Sequence, residues 1–102
     1  MANYQLSIIT ANGEVFNDQV ESLVAPGALG SFGVLSDHAP LVTSLRGGPV
    51  TVTQNGKERY FAVSSGILEV NDQNNVLLLA DFAKKVNTID EAKTEGFTND
   101  GK

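Results

Sequence analysis

The sequence predicts an all-β fold, a two-sheet antiparallel β-sandwich of about ten short strands followed by a short helical or disordered tail. Three observations predict it. Turn-forming clusters recur at short, even intervals through the first 83 residues. Between them, apolar and polar residues alternate, the period of a strand with one buried face. The chain has 102 residues, 41% hydrophobic and 19% charged, which suits one domain with its own core and not a disordered polymer.

Each element has its own signal. Tyr4, Leu6 and Ile8 alternate with Gln5 and Ser7 and predict the first strand. Asn12-Gly13 and Asn55-Gly56 tolerate the positive φ angles of type I′ turns and predict two hairpins. Gly27, Gly30 and Gly33 predict a glycine-rich corner that carries the chain between sheets. Arg46-Gly47-Gly48-Pro49 separates Val42–Leu45 from Val50–Thr53, and Asp72–Asn75 separates Ile67–Val70 from Val76–Leu79. Val76 to Ala80, the longest apolar run, has the length of a buried strand and is far short of the roughly 20 residues that span a bilayer. About nine strand candidates precede residue 83, so residues 1–83 are expected to form the sandwich and residues 84–102 a tail. In that tail Thr88-Ile89-Asp90-Glu91 has the pattern of a capping box, Gly96 is a natural stop, and residues 97–102 read as a disordered end.

Charge and composition exclude several chemistries. Residues 1–83 carry eight acids and three bases, while the tail carries four of each, giving the net charge of −5. An acidic domain lacks the general phosphate attraction behind most nucleic-acid binding. Without cysteine there is no disulfide or thiolate chemistry, and one histidine, His38, cannot form a multi-histidine metal centre. Met1 to Gln5 lacks the pattern of a secretory signal, so a cytoplasmic, bacterial protein is the expectation.

Three local patterns suggest chemistry and weaken on inspection. The glycines of Gly27–Gly33 lack the following lysine and helix of a phosphate loop. Ser36, Asp37 and His38 are consecutive, whereas triad members converge through space from separate positions. Glu69, Asp72 and Asp81 match no calcium-loop spacing and read as solvated turn acids. The residues therefore favour a non-catalytic interaction module with no cofactor and no metal.

Longer strings carry more information. Glu14-Val15-Phe16, Val20-Glu21, Gly27–Gly33 running into Val34-Leu35, His38-Ala39-Pro40-Leu41, Gly66-Ile67-Leu68-Glu69-Val70, and Val76 to Ala80 followed by Asp81 resemble, in order and at matching spacing, the epsilon subunit family of rotary ATP synthases. The resemblance covers nearly all of residues 4–92. It implies a β-sandwich that is a non-catalytic rotor component, bound to the gamma subunit on one side and to the polar loops of the c-ring on the other. It also implies a peripheral place on the cytoplasmic face of the bacterial inner membrane, without insertion into it. Carried over position by position, it implies a gamma-facing set of Thr10, His38, Ala39, Pro40, Leu41 and Thr43, and a ring-facing set of Leu29, Gly30, Ser31 and Phe32.

Three residues depart from the family pattern. Ser31 stands where many members carry an acid, Asp37 where a glycine usually precedes the histidine, and Lys93 where an arginine is common. Residues 89–93 resemble the opening of the family's C-terminal two-helix hairpin, of which residues 84–102 are expected to hold only the start. In longer members that hairpin can jam rotation, and a segment this short is not expected to. The alternative reading is a stand-alone small-ligand-binding β-sandwich. A rotor clamp should expose an apolar patch on an outer sheet face, whereas a ligand-binding domain should show a concave pocket with converging polar groups.

Overall fold

A computed structural model describes residues 3–93. Ten strands follow in chain order: β1 (Tyr4–Thr10), β2 (Gly13–Val20), β3 (Ser22–Gly27), β4 (Gly30–Leu35), β5 (Leu41–Leu45), β6 (Gly48–Gln54), β7 (Lys57–Val63), β8 (Gly66–Val70), β9 (Asn75–Ala80) and β10 (Ala83–Val86). They form two layers of five. The first has the order β10-β7-β6-β3-β4 and the second β5-β8-β9-β1-β2. A single pairing, Gly27 of β3 with Leu45 of β5, carries the hydrogen-bonded ladder from one layer to the other. One junction is not antiparallel as expected: β1 and β9 run parallel, with Gln5 beside Asn75 and Ile9 beside Leu79. The connection between these two strands spans most of the chain, which is the long crossover that parallel pairing requires.

Alternation places the core between the layers. Tyr4, Leu6 and Ile8 point inward from β1, Val50 and Val52 from β6, and Leu68, Val70, Val76 and Leu78 from β8 and β9, all buried in one cluster. Phe16 of β2 meets Phe61 of β7 edge to face at 5.5 Å, joining the layers across the core. Tyr4 pins them at another point, its hydroxyl donating to the Val34 carbonyl at 2.8 Å. No buried side-chain polar atom among the described residues lacks a hydrogen-bond partner.

The turns divide into two kinds. At Asn55-Gly56 both residues have positive φ, 54° and 76°, as a type I′ turn requires. At the first hairpin Asn12 does not. Thr10 pairs with Gly13 across Ala11 and Asn12, so only Gly13 takes a positive φ, and the Asn12 amide donates to Thr10 Oγ1 at 3.1 Å. The glycine-rich segment forms a hairpin in which Gly27 faces Gly30 across Ala28 and Leu29, instead of a bare corner. The crossing between layers still occurs here, through Gly27 and Leu45.

The division expected between residues 83 and 84 falls inside β10, which pairs with β7 from Ala83–Val63 to Val86–Tyr60. After it the capping box forms: the Glu91 amide donates to Thr88 Oγ1 at 3.1 Å, while Glu91 Oε1 accepts the Thr88 and Asn87 amides. Helical residues follow over 89–93. Ala92 is fully buried against Ala62 and Val86, in a small cluster separate from the main core. The expected stop at Gly96 and the expected disordered end 97–102 lie outside the described residues.

Candidate functional site

The outer face of the second layer is built by the residues that alternate with the core. Register lines up Val42, Glu69, Leu77, Ser7 and Asn17 in one row across all five strands, and Ser44, Ile67, Leu79 and Ile9 in the next. The two halves of this face differ in chemistry. On β1 and β2 a polar network satisfies itself: Gln5 and Ser7 donate to Asn17 Oδ1, Gln19 donates to Gln5, and Asn17 donates to Glu14. On β5, β8 and β9 three outward positions are large, aliphatic and open, Val42 at 69%, Ile67 at 48% and Leu79 at 42% exposure, with Ser44 and Glu69 exposed among them. Large aliphatic side chains on adjacent strands make this a candidate contact surface, unlike isolated exposed ones.

Gly66 explains how β8 and β9 come together here. A Cβ at this position would collide with the Leu79 carbonyl and lie 3.0 Å from Ala80 Cα, so only glycine permits the approach. Beside it runs a recess of approximately 660 Å³, open to solvent and lined by Ile9, Thr10, Ser44, Ile67, Leu79 and Asp81 among others. It is an open groove and not an enclosed pocket, and Thr10, Ser44, Ser65 and Asp81 supply its polar lining.

Charge is divided between the layers. The strands of the second layer hold Glu14, Asp18 and Glu69 and no base, while those of the first hold Lys57, Arg59, Lys84 and Lys85 against the single acid Glu58. A partner presenting apolar side chains within a basic rim would complement the second layer.

The set expected to face gamma is spread along this layer. His38, Ala39 and Pro40 precede β5 at the end where β1 begins, and Thr10 lies at the opposite end, beside the groove. The structure does not bring them into one cluster. Leu41 and Thr43 point toward the core side and are half-buried, whereas Val42 between them points outward. Val42, Ile67 and Leu79 bridge the two ends, and residue reading missed them. Part of their signal was present: in Val76–Ala80 both alternating sets are apolar, and the burial alternation of β9 turns Leu79 outward. Val76–Ala80 is therefore not a strand buried on both faces.

The set expected to face the ring lies at the β3–β4 turn. Leu29 is fully exposed at the tip and Gly30 and Ser31 are exposed beside it. Phe32 turns inward against the core, so the exposed part of this set is Leu29, Gly30 and Ser31.

The serine, aspartate and histidine at 36–38 do not converge. Ser36 Oγ accepts from Asn74, and His38 Nδ1 donates to the Ala39 carbonyl at 2.7 Å. Among the described residues no cluster of His, Cys, Asp and Glu is placed to hold a metal ion, and no helix is long and apolar enough to cross a membrane.

Comparison with known proteins identifies the architecture. Residues 3–86 match the family described as ATP synthase, Delta/Epsilon chain, beta-sandwich domain. An ATP synthase epsilon chain from Pelotomaculum thermopropionicum is 44% identical over 91 residues, covering 89% of this chain and 67% of that protein. One from Desulforamulus reducens is 43% identical over 86 residues, covering 84% and 64%. The chain thus spans about two thirds of the length of these relatives. Among solved structures, a chain in a Euglena gracilis mitochondrial ATP synthase assembly of OSCP, F1 and c-ring superposes with a TM-score of 0.78 at 24% identity, covering 83% of this chain and 54% of that one. With its ten-strand sandwich and family match over most of its length, the chain belongs to the ATP synthase delta/epsilon chain family and comprises that family's β-sandwich domain.

Proposed function

We propose that this chain is the non-catalytic central-stalk subunit of a rotary ATP synthase, a rigid clamp that joins the gamma subunit to the c-ring and so couples ion transport to ATP synthesis. The outer face of the second layer takes gamma, and the exposed tip of the β3–β4 hairpin takes the polar loops of the ring. The subunit sits peripherally on the cytoplasmic face of a bacterial inner membrane, held there by the complex.

The observation that carries the assignment of faces is the open apolar stripe of Val42, Ile67 and Leu79 on a layer whose strands hold no base. A clamp needs two separate contact regions on a body that does not deform between them. The stripe and the hairpin tip lie on different layers, and those layers are locked by a shared core, the Tyr4–Val34 hydrogen bond and the Phe16–Phe61 contact. The groove beside Ile67 is open to solvent, whereas a small-ligand module encloses most of its ligand.

Co-purification with gamma tests the reading. The intact chain should bind gamma. His38→Ala and a Thr10 variant should weaken that binding with stability within about 0.5 kcal/mol of the parent, as expected for surface substitutions. Normal binding by either variant would contradict the assignment of this face.

A further inference from the structure

The segment that presents His38 is held by a side chain from a distant turn. Asp37 has a φ of +65°, a left-handed conformation that glycine adopts freely and other residues adopt at a cost. This accounts for the glycine usual at its position in the resemblance. Its amide donates to Asn74 Oδ1 at 2.8 Å, and Asn74 Nδ2 donates to the Asn3 carbonyl at 3.1 Å and to Ser36 Oγ at 3.3 Å. One side chain therefore ties the entry to β1, the turn at 36–37 and the β8–β9 turn. Only a carboxamide can accept and donate in this way with a single planar group.

Asn74 is itself held in place. It has a φ of +64°, within a turn where Asn71 Oδ1 accepts the Gln73 and Asn75 amides at 2.9 and 3.1 Å, and the Asn71 amide donates to the Asn75 carbonyl. Next to the clamped Asp37 amide, the His38 amide donates to the Leu35 carbonyl at 3.2 Å, fixing the direction in which the chain leaves toward Ala39 and Pro40.

We infer that Asn74 is the positioning residue for the His38 end of the gamma-facing surface, an inference that rests on the assignment of that surface to gamma. It touches no part of the apolar stripe. It acts by holding Asp37 in its left-handed conformation, so that His38, Ala39 and Pro40 meet a partner in one arrangement without first having to be ordered.

Asn74→Gly tests this, because glycine keeps the backbone conformation and removes all three side-chain hydrogen bonds. Hydrogen exchange at the Asp37 and His38 amides should accelerate in the free variant while the melting temperature stays close to the parent's. Gamma affinity should fall about five- to tenfold, the loss expected when about one hydrogen bond's worth of ordering is removed. The double variant with His38→Ala should lose no more affinity than the weaker-binding single variant, since both changes act through one loop. Unchanged exchange at Asp37 and His38, or losses that add fully in the double variant, would overturn the role of Asn74 while leaving the gamma surface standing. Full gamma binding by His38→Ala, despite faster exchange in Asn74→Gly, would instead overturn the surface assignment and this inference with it.

Discussion

The two outer faces of the sandwich follow the same alternation rule and both expose aliphatic side chains, Val24 and Leu35 on the first layer and Val42, Ile67 and Leu79 on the second, but they differ in how the rest is covered. On the first layer, part of the outward apolar surface is covered by the chain itself: Ala62 and Val86 are buried beneath Ala92 of the helical residues 89–93. On the second, Val42, Ile67 and Leu79 remain open, and the neighbouring polar side chains bond to one another instead of covering them. Outward apolar residues are thus not a flaw of this sequence. Where the chain supplies its own cover they act as a second core, and where it does not they are available to a partner. Charge reinforces the difference, with acids on the open layer and mostly bases on the other.

The largest expected effect breaks the open layer from within. Gly66→Ala must force β8 from β9, because the obstruction is backbone and not a side chain that can rotate away. It should cost about 3 kcal/mol, at the upper end of overpacking, and lower the melting temperature by more than about 10 °C. Near-normal melting would show that the two strands can separate cheaply. Next, Ala92→Asp places a carboxylate in the covered patch, where Ala92 is fully buried. It should release residues 89–93 at a cost of about 2 kcal/mol, visible as faster hydrogen exchange from Val86 onward with the sandwich intact.

Tyr4→Phe sharpens the comparison by loosening the pin between layers, and should cost about 1 kcal/mol for the lost bond to Val34. It also has a pH signature. Burial pushes the Tyr4 phenol well above its usual range, whereas the unfolded chain releases that proton near about pH 10. The folded state then holds a proton the unfolded state has lost, so this contribution is complete below about pH 10 and declines as pH rises further. Urea titrations at rising alkaline pH should show the decline in the parent and a flatter profile in Tyr4→Phe. The smallest stability effect should come from Ile67→Ser on the open stripe, within about 0.5 kcal/mol in the free chain. A much larger loss would show that Ile67 belongs to the fold and not to a contact surface.

What the sequence disclosed depended on how local the cause was. Asn55-Gly56 and the Thr88–Glu91 box are set by neighbouring residues, and both formed as read. Asn12-Gly13 looked the same but shifted by one position, because Thr10 pairs with Gly13 and places Ala11 and Asn12 at the turn. The parallel junction of β1 with β9 depends on pairing between distant segments, which periodicity does not report. For the candidate site, resemblance supplied the loops around Thr10, Leu29 and His38. That Val42, Ile67 and Leu79 share one open face became visible only once register aligned their strands.

The most direct test is a side-chain footprint of the chain alone and with gamma. Oxidative labelling should fall at Val42, Ile67 and Leu79 when gamma is bound, with the hairpin-tip Leu29 and the first-layer Leu35 still labelled as in the free chain. Protection of Leu29 and Leu35 with unchanged labelling of Ile67 and Leu79 would place gamma on the other layer and contradict the assignment.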